Sequence, residues 1–280
     1  MKFILVHNPH SGSSLPLSTL RKVFKKHGHE ITTAIDITSE FPDKLTPLVK
    51  KGVYVVAYGG DGTQNAVASQ LLGTDAVMVP LSGGTLNNFT KDLGVPQDLD
   101  EACARLHSLK TRKIDIGTVN DKVFVNNSSI GFYPSSLRVR EAIGSRVGKW
   151  PAAAFGVIHA LAKFKLYTVT MTGETFKTPF IFIGNNDYPL TGGGRRPSLT
   201  TGQLCAYAIT ATNRRTLVKL VFSALRGTLA DQDEFIIHHD KEITIKTRRS
   251  KVNISTDGEV GRSNTPLTYR CEAKQLHVLA

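Results

Sequence analysis

The chain is poor in cysteine, with three in 280 residues: Cys103, Cys205 and Cys271. They are odd in number and widely spaced, which argues against a disulfide frame or a zinc site and fits a reducing compartment. Long apolar runs are also missing. A spanning helix needs ~20 apolar residues, and the most apolar stretch, Ala152 to Ala162, is about half that length and carries His159. Met1 to Pro9 reads as a first strand rather than a signal peptide, being too short and without a small-residue cleavage pattern. There is no internal repeat and no low-complexity linker. Acidic residues are in deficit, 23 Asp+Glu against 35 Lys+Arg, for a net charge of +12. The deficit is uneven: residues 1–112 hold 12 basic and 10 acidic side chains, residues 113–280 hold 23 and 13. A basic second half suits an anionic membrane surface or nucleic acid. Its pairs Arg195-Arg196, Arg214-Arg215 and Arg248-Arg249 each also suit a plain solvated surface.

What is present is punctuation by glycine. Strands are predicted at Lys2–Val6, Glu30–Ile35, Val53–Ala57 and Ala76–Pro80, with helices at Leu17–His27, Phe41–Lys51 and Thr63–Leu72 between them. Such alternation predicts parallel βαβ units. Further helices are predicted at Leu86–Leu93 and Leu99–Leu109. Near Thr111–Lys113 the texture changes. Lys113–Val119 and Lys122–Ile130 read as a strand pair turning at Asn120-Asp121, followed by helices at Pro134–Ile143 and Pro151–Phe164. Strands follow at Tyr167–Thr172, Pro179–Gly184, Gln203–Ile209, Glu234–His238, Glu242–Lys246, Lys251–Ser255 and Leu267–Arg270, with a helix at Thr216–Leu225. The expected fold class is α/β. A parallel-sheet nucleotide-binding domain (1–112) precedes a mainly antiparallel β-sandwich domain (113–280), and 276–280 returns to the first.

In a parallel sheet, ligands gather beyond the C-terminal strand ends. Three glycine-bearing turns fall there: Asn8-Pro9-His10-Ser11-Gly12, Gly59-Gly60-Asp61-Gly62-Thr63, and Ser82-Gly83-Gly84-Thr85, with Thr38 after the second strand. Glycine lets backbone approach an anion closely, and a helix N-terminus adds partial positive charge. A carboxylate, Asp61, in such a loop repels phosphate unless a cation intervenes. Phosphate and metal together point to a nucleoside triphosphate. Each turn alone reads equally well as a loop or a helix cap.

Taken together, the three turns resemble the catalytic-domain family of diacylglycerol kinases and sphingosine kinases, through Asn-Pro-x-Ser-Gly, Gly-Gly-Asp-Gly-Thr and Gly84-Thr85-Leu86-Asn87. Ile114-Asp115-Ile116-Gly117, Asn126 to Gly131 and Asp257-Gly258-Glu259 extend the likeness nearly end to end. The resemblance implies a cytoplasmic, peripherally membrane-associated lipid kinase that uses ATP and Mg2+. It assigns nucleotide binding to Asn8, Ser11, Gly12, Thr38, Gly59, Gly60, Asp61, Gly62, Thr63, Gln64, Asn65, Gly84 and Thr85. The catalytic magnesium falls to Asp61 and Asp115, and the base to Glu259 or Asp257. Three departures stand out. The third turn is lengthened by Ser82 and Gly83. Asn88 replaces a frequent acidic residue. Thr200 to Leu204 lacks the carboxylate of a structural metal site common in bacterial members, so no structural magnesium is expected there. A soluble-metabolite kinase of the NAD kinase or phosphofructokinase type is the nearest alternative, and a non-catalytic nucleotide or lipid binder the next. Nucleic acid leaves the glycine turns unexplained and is not expected as a partner.

Overall fold

The computed structural model describes residues 1–131, 166–190, 195–210 and 213–280. The expected helices Pro134–Ile143 and Pro151–Phe164 lie outside them. Four parallel strands, β1 (Lys2–His7), β2 (Glu30–Asp36), β3 (Tyr54–Gly59) and β4 (Val77–Ser82), lie in the order β2-β1-β3-β4. The apolar runs of β1, β3 and β4 are buried on both faces, as interior parallel strands require, whereas the edge strand β2 buries only Ile31 and Ile35. Helices α1 (Leu17–Lys26), α2 (Asp61–Leu71), α3 (Asn88–Asp92) and α4 (Leu99–Arg105) accompany them. In α1, Leu20 and Phe24 point inward and Lys25 and Lys26 close the last turn, where cations suit the helix dipole.

The second half contributes β5 (Thr111–Val119), β6 (Lys122–Phe124), β7 (Asn127–Gly131), β8 (Tyr167–Met171), β9 (Glu174–Thr178), β10 (Phe180–Asn185) and β11 (Leu204–Ile209), then α5 (Arg214–Arg226). The chain continues through β12 (Phe235–Asp240), β13 (Glu242–Thr247), β14 (Lys251–Thr256), β15 (Glu259–Asn264) and β16 (Leu267–Leu279). An antiparallel sheet runs β12-β11-β10-β7-β14-β15. The remaining strands join the parallel set. β16 pairs β4 in parallel through His277 and Val278, and β5 and β13 in antiparallel. One sheet therefore crosses from the first half into the second.

Several expectations need correction. Phe41–Lys51 forms turns and one 3-10 turn at Thr46–Leu48 rather than a helix, because Pro42 and Pro47 withhold donors and restrict the residues before them. Lys122–Ile130 is two strands in different sheets, broken where residues 125–127 turn their amides to Asp257. The strand predicted at Leu267–Arg270 runs on to Leu279 through a register shift between Glu272 and Leu276, and the polar stretch there hid its continuity. β9 and β15, both largely polar, carry no expectation from sequence at all.

His29 packs edge-on against Phe3 and Phe24, with ring centroids 5.5 and 6.2 Å away. Burial holds its pKa below the ordinary 6.5, so the folded protein keeps the ring neutral. The unfolded chain binds the proton first as pH falls. The stability from this group is complete above 6.5 and is lost as pH drops through the folded value. Melting temperature should fall between about pH 7 and pH 5, and less steeply in His29→Gln.

Candidate nucleotide and phosphoryl-transfer site

β3 ends at Gly59 and α2 begins at Asp61, with Gly60 as its N-cap. The first intrahelical bond is Gln64 N–H to Gly60 C=O, so the amides of Asp61, Gly62 and Thr63 open the helix without a carbonyl behind them. That positive end lies at the switch point between β1 and β3, where the loops following the two strands would otherwise diverge. The other turns are bonded onto it. Gly60 N–H donates to Ser11 Oγ at 3.1 Å, Ser13 N–H to Gly83 C=O at 3.0 Å and Gly83 N–H to Gly59 C=O at 3.0 Å. Asn87, in the left-handed region at φ 52°, clamps its own turn: its Oδ1 accepts from Gly84 N–H and its Nδ2 donates to Gly84 C=O.

These contacts leave no room for side chains. A Cβ on Gly84 would stand 2.3 Å from the Cα of Gly60, and one on Gly12 would stand 2.4 Å from Thr85 Oγ1. The first clash is against backbone and has no rotamer escape. Gly84→Ala should therefore separate the turns, lower the melting temperature and weaken nucleotide binding together, measurable by calorimetry. A cleft of about 420 Å³ lies alongside, lined by Ser13, Tyr58, Ser82, Thr85, Lys91 and Asp98 among others.

The sequence-derived site residues separate into groups. Ser11, Gly12, Gly59, Gly60, Asp61, Gly62, Thr63, Gly84 and Thr85 meet at the α2 N-terminus. Thr63 is buried, and its Oγ1 has no hydrogen-bond partner among the described residues. Asn8 holds its own turn, its Oδ1 accepting from His10 N–H at 2.9 Å. Thr38 donates its amide and hydroxyl to Asp36 at the end of β2. Gln64 departs from expectation. It is fully buried, and its Nε2 donates to the carbonyls of Ala57 and Leu81, tying β3 to β4, while its Oε1 has no partner among the described residues. Asn65 Oδ1 is buried beside it without a described partner.

The carboxylates also differ. Asp61 accepts from Asn88 N–H at 3.1 Å, Phe89 N–H at 2.9 Å and Asn126 Nδ2 at 3.2 Å, fixing the start of α3. Asp115 is fully buried and bound by the amides of Gly202 at 2.6 Å and Lys274 at 2.9 Å. One oxygen takes the Lys274 amide in the bulge of β16 and the other the Gly202 amide just before β11, so in this structure Asp115 ties those two segments together. Asp257 and Gly258 have φ 48° and 87°, the two-residue turn joining β14 to β15. The turn sends the flanking carboxylates apart. Asp257 accepts the amides of Val125, Asn126 and Asn127 at 2.8, 2.8 and 3.0 Å. Burial pushes its acid up to about 7 against the pull of those amides, and the nearby Asp61 charge adds to the rise. Glu259 is exposed and faces the α2 N-terminus. A Cβ on Gly62 would be 3.3 Å from its Oε1.

With this geometry, comparison with known proteins is decisive. Residues 2–119 match the family described as the diacylglycerol kinase catalytic domain. Residues 144–280 match the YegS C-terminal NAD kinase beta sandwich-like domain. The chain belongs to the diacylglycerol kinase catalytic-domain family. The protein named "Probable lipid kinase YegS" in Salmonella gallinarum is 29% identical over 272 residues, covering 86% of each chain. A Staphylococcus carnosus protein named as a lipid kinase is 29% identical over 240 residues, 79% of this chain and 76% of its own. The fold matches a crystal structure described as a diacylglycerol kinase of Bacillus anthracis with TM-score 0.70 and 19% identity, over 99% of this chain and 96% of that one. The family's two-part architecture, a mixed sheet with parallel strands and an antiparallel sheet, is the one found here.

Sequence reasoning missed three members of the site. Asn87 lay within the Gly-Thr-x-Asn motif but was given no role. Arg196 was assigned to a basic surface pair, yet it is 5% exposed and bonded to Asp92, which had drawn no attention. Nothing in the local sequence marks either partner.

Proposed function

We propose that this chain is an ATP-dependent lipid kinase that transfers the γ-phosphate to a lipid hydroxyl. The observation that carries the reading is the convergence of three glycine turns on the α2 N-terminus with Glu259 facing it. The donor set fits a polyphosphate: unopposed amides, a hydroxyl at Thr63 with no described partner, and backbone stripped of side chains. Asp61 is the carboxylate placed to hold a magnesium ion. When bound, ATP supplies the phosphoryl group and magnesium offsets the charge on its phosphates. Glu259 would take the proton that the lipid hydroxyl loses as its oxygen bonds to the γ-phosphorus and the bond from that phosphorus to the β-phosphate oxygen breaks, with ADP as the leaving group. Asp257 does not compete for that role, because its carboxylate already holds residues 125–127.

Among the described residues no helix is long and apolar enough to cross a membrane. The reading therefore places the protein at the surface of an anionic membrane, drawn there by the basic second half. Binding to vesicles should rise with anionic lipid and weaken with salt, since exposed charges are screened over ~8 Å at physiological ionic strength. Equal binding to neutral vesicles would count against the surface role. The deciding experiment for the whole reading is radiolabelled phosphate transfer from ATP to a panel of lipid alcohols in mixed micelles. Because the C-terminal match is to an NAD kinase-like sandwich, NAD belongs in the same panel. Transfer to NAD alone would replace the lipid reading.

A further inference from the structure

Arg196 is the most enclosed cation among the described ion pairs, with its side chain 1% exposed. Its Nε donates to Asp92 Oδ2 at 2.7 Å, at the end of α3. One terminal nitrogen donates to the carbonyls of Val125 at 2.9 Å and Asn185 at 2.8 Å, and the other to Asn126 Oδ1 at 3.1 Å. A guanidinium can only donate. The Asn126 oxygen must therefore face Arg196, which turns its Nδ2 toward Asp61 Oδ1, its other side-chain partner among the described residues, at 3.2 Å. The amide is thereby locked as an acceptor on one side and a donor on the other. Asp61 in turn receives Asn88 and Phe89, the first amides of α3, while Asp92 at the far end of α3 is gripped by Arg196 itself. The circuit closes: Arg196, Asn126, Asp61, α3, Asp92, Arg196.

We propose that Arg196 is a positioning residue for phosphoryl transfer, acting through Asn126 to fix the carboxylate of Asp61, so that the second half of the chain sets the aim of the phosphate loop. The catalytic consequence rests on the kinase reading. The hydrogen-bond circuit does not, and the test separates the two. Asn126→Asp, Arg196→Lys and their combination are compared with the wild type. Exchange of the Asn88 and Phe89 amides is followed by NMR beside kcat and the nucleotide KM. Asn126→Asp keeps an acceptor for Arg196 but sets a carboxylate against Asp61. It should speed exchange at the two amides about tenfold and lower kcat about tenfold or more, with nucleotide KM within about threefold. Lysine lacks the planar fork that reaches Asp92 and Asn126 at once, so Arg196→Lys should move both readouts the same way. The double variant should lose clearly less than the product of the two single losses, because the Asn126 arm is common to both. Independent, additive losses would indicate ordinary packing and overturn the proposal. So would unchanged exchange at Asn88 and Phe89 in Asn126→Asp. If the wild type phosphorylates nothing in the panel, the kinase reading fails, and the exchange rates still decide the circuit.

Discussion

Glu259→Gln should lose turnover by about 10²–10⁴-fold, as removal of a general base does, while melting and nucleotide affinity stay near wild type. Glu259 is exposed at the start of β15 and its carboxylate stands over Gly62, so the substitution disturbs no buried partner. Its neighbour should behave in the opposite sense. Asp257→Asn replaces one acceptor oxygen with an NH2 group that must face a backbone N–H of residues 125–127. Leaving a buried donor unmatched costs about 1–3 kcal/mol. Asp257→Asn should thus appear first as a lower melting temperature, with turnover lost in proportion to the displaced loop. Thermal melts and single-turnover kinetics on the two variants would sort them. Normal turnover in folded Glu259→Gln would move the base elsewhere.

Asp61→Ala is the second large effect expected. Turnover should fall by about 10²–10³-fold, the scale of losing one preorganised electrostatic group. Unlike Glu259→Gln it should also lower stability, by about 1 kcal/mol, because the carboxylate caps α3 as a side chain caps a helix. Asp61→Asn should not rescue activity. An amide offers one acceptor, and it would have to turn its NH2 toward either the Asn88 N–H or the Phe89 N–H and Asn126 Nδ2 together, all of which are donors. The measurement is kcat for both variants with calorimetric melts alongside. Near wild-type turnover in a well-folded Asp61→Ala protein would sink the nucleotide site.

Much of this was legible before any coordinates. The parallel strands β1, β3 and β4 show as short, doubly apolar runs, and the glycine turns sit where their C-terminal ends must be. The motifs singled out Gly59 to Thr63 and Asp257-Gly258-Glu259 as a set, although each alone also reads as an ordinary turn. Their roles were less visible. Glycine motifs report where backbone must come close, whereas a carboxylate's duty depends on which N–H groups surround it. Asp115, Asp257 and Glu259 look alike in the sequence, yet Asp115 ties the β16 bulge to the turn before β11, Asp257 holds a loop, and the Glu259 carboxylate has no hydrogen-bond partner among the described residues. The burial of Gln64 was hidden for a related reason: adjacency to a phosphate loop does not say which face of α2 a residue occupies. Arg196 and Asp92 lie 104 positions apart, and a single sequence holds no signal for such a pair.

The path of β16 bears on how the protein is made. Residues 276–279 lie against β5 on one flank, and His277 and Val278 against β4 on the other. On an emerging polypeptide the glycine turns are all present once residue 90 has left the ribosome, but β4 still shows a bare, mostly apolar margin. That margin waits through almost two hundred further residues for its neighbour. Synthesis from N- to C-terminus at ~5–20 residues per second makes this a wait of roughly 10–40 s. During it an unpaired strand edge invites pairing with other chains. A nascent chain stalled before Leu267 is therefore expected to be captured by chaperones or to aggregate, with its phosphate loop already written but not yet supported.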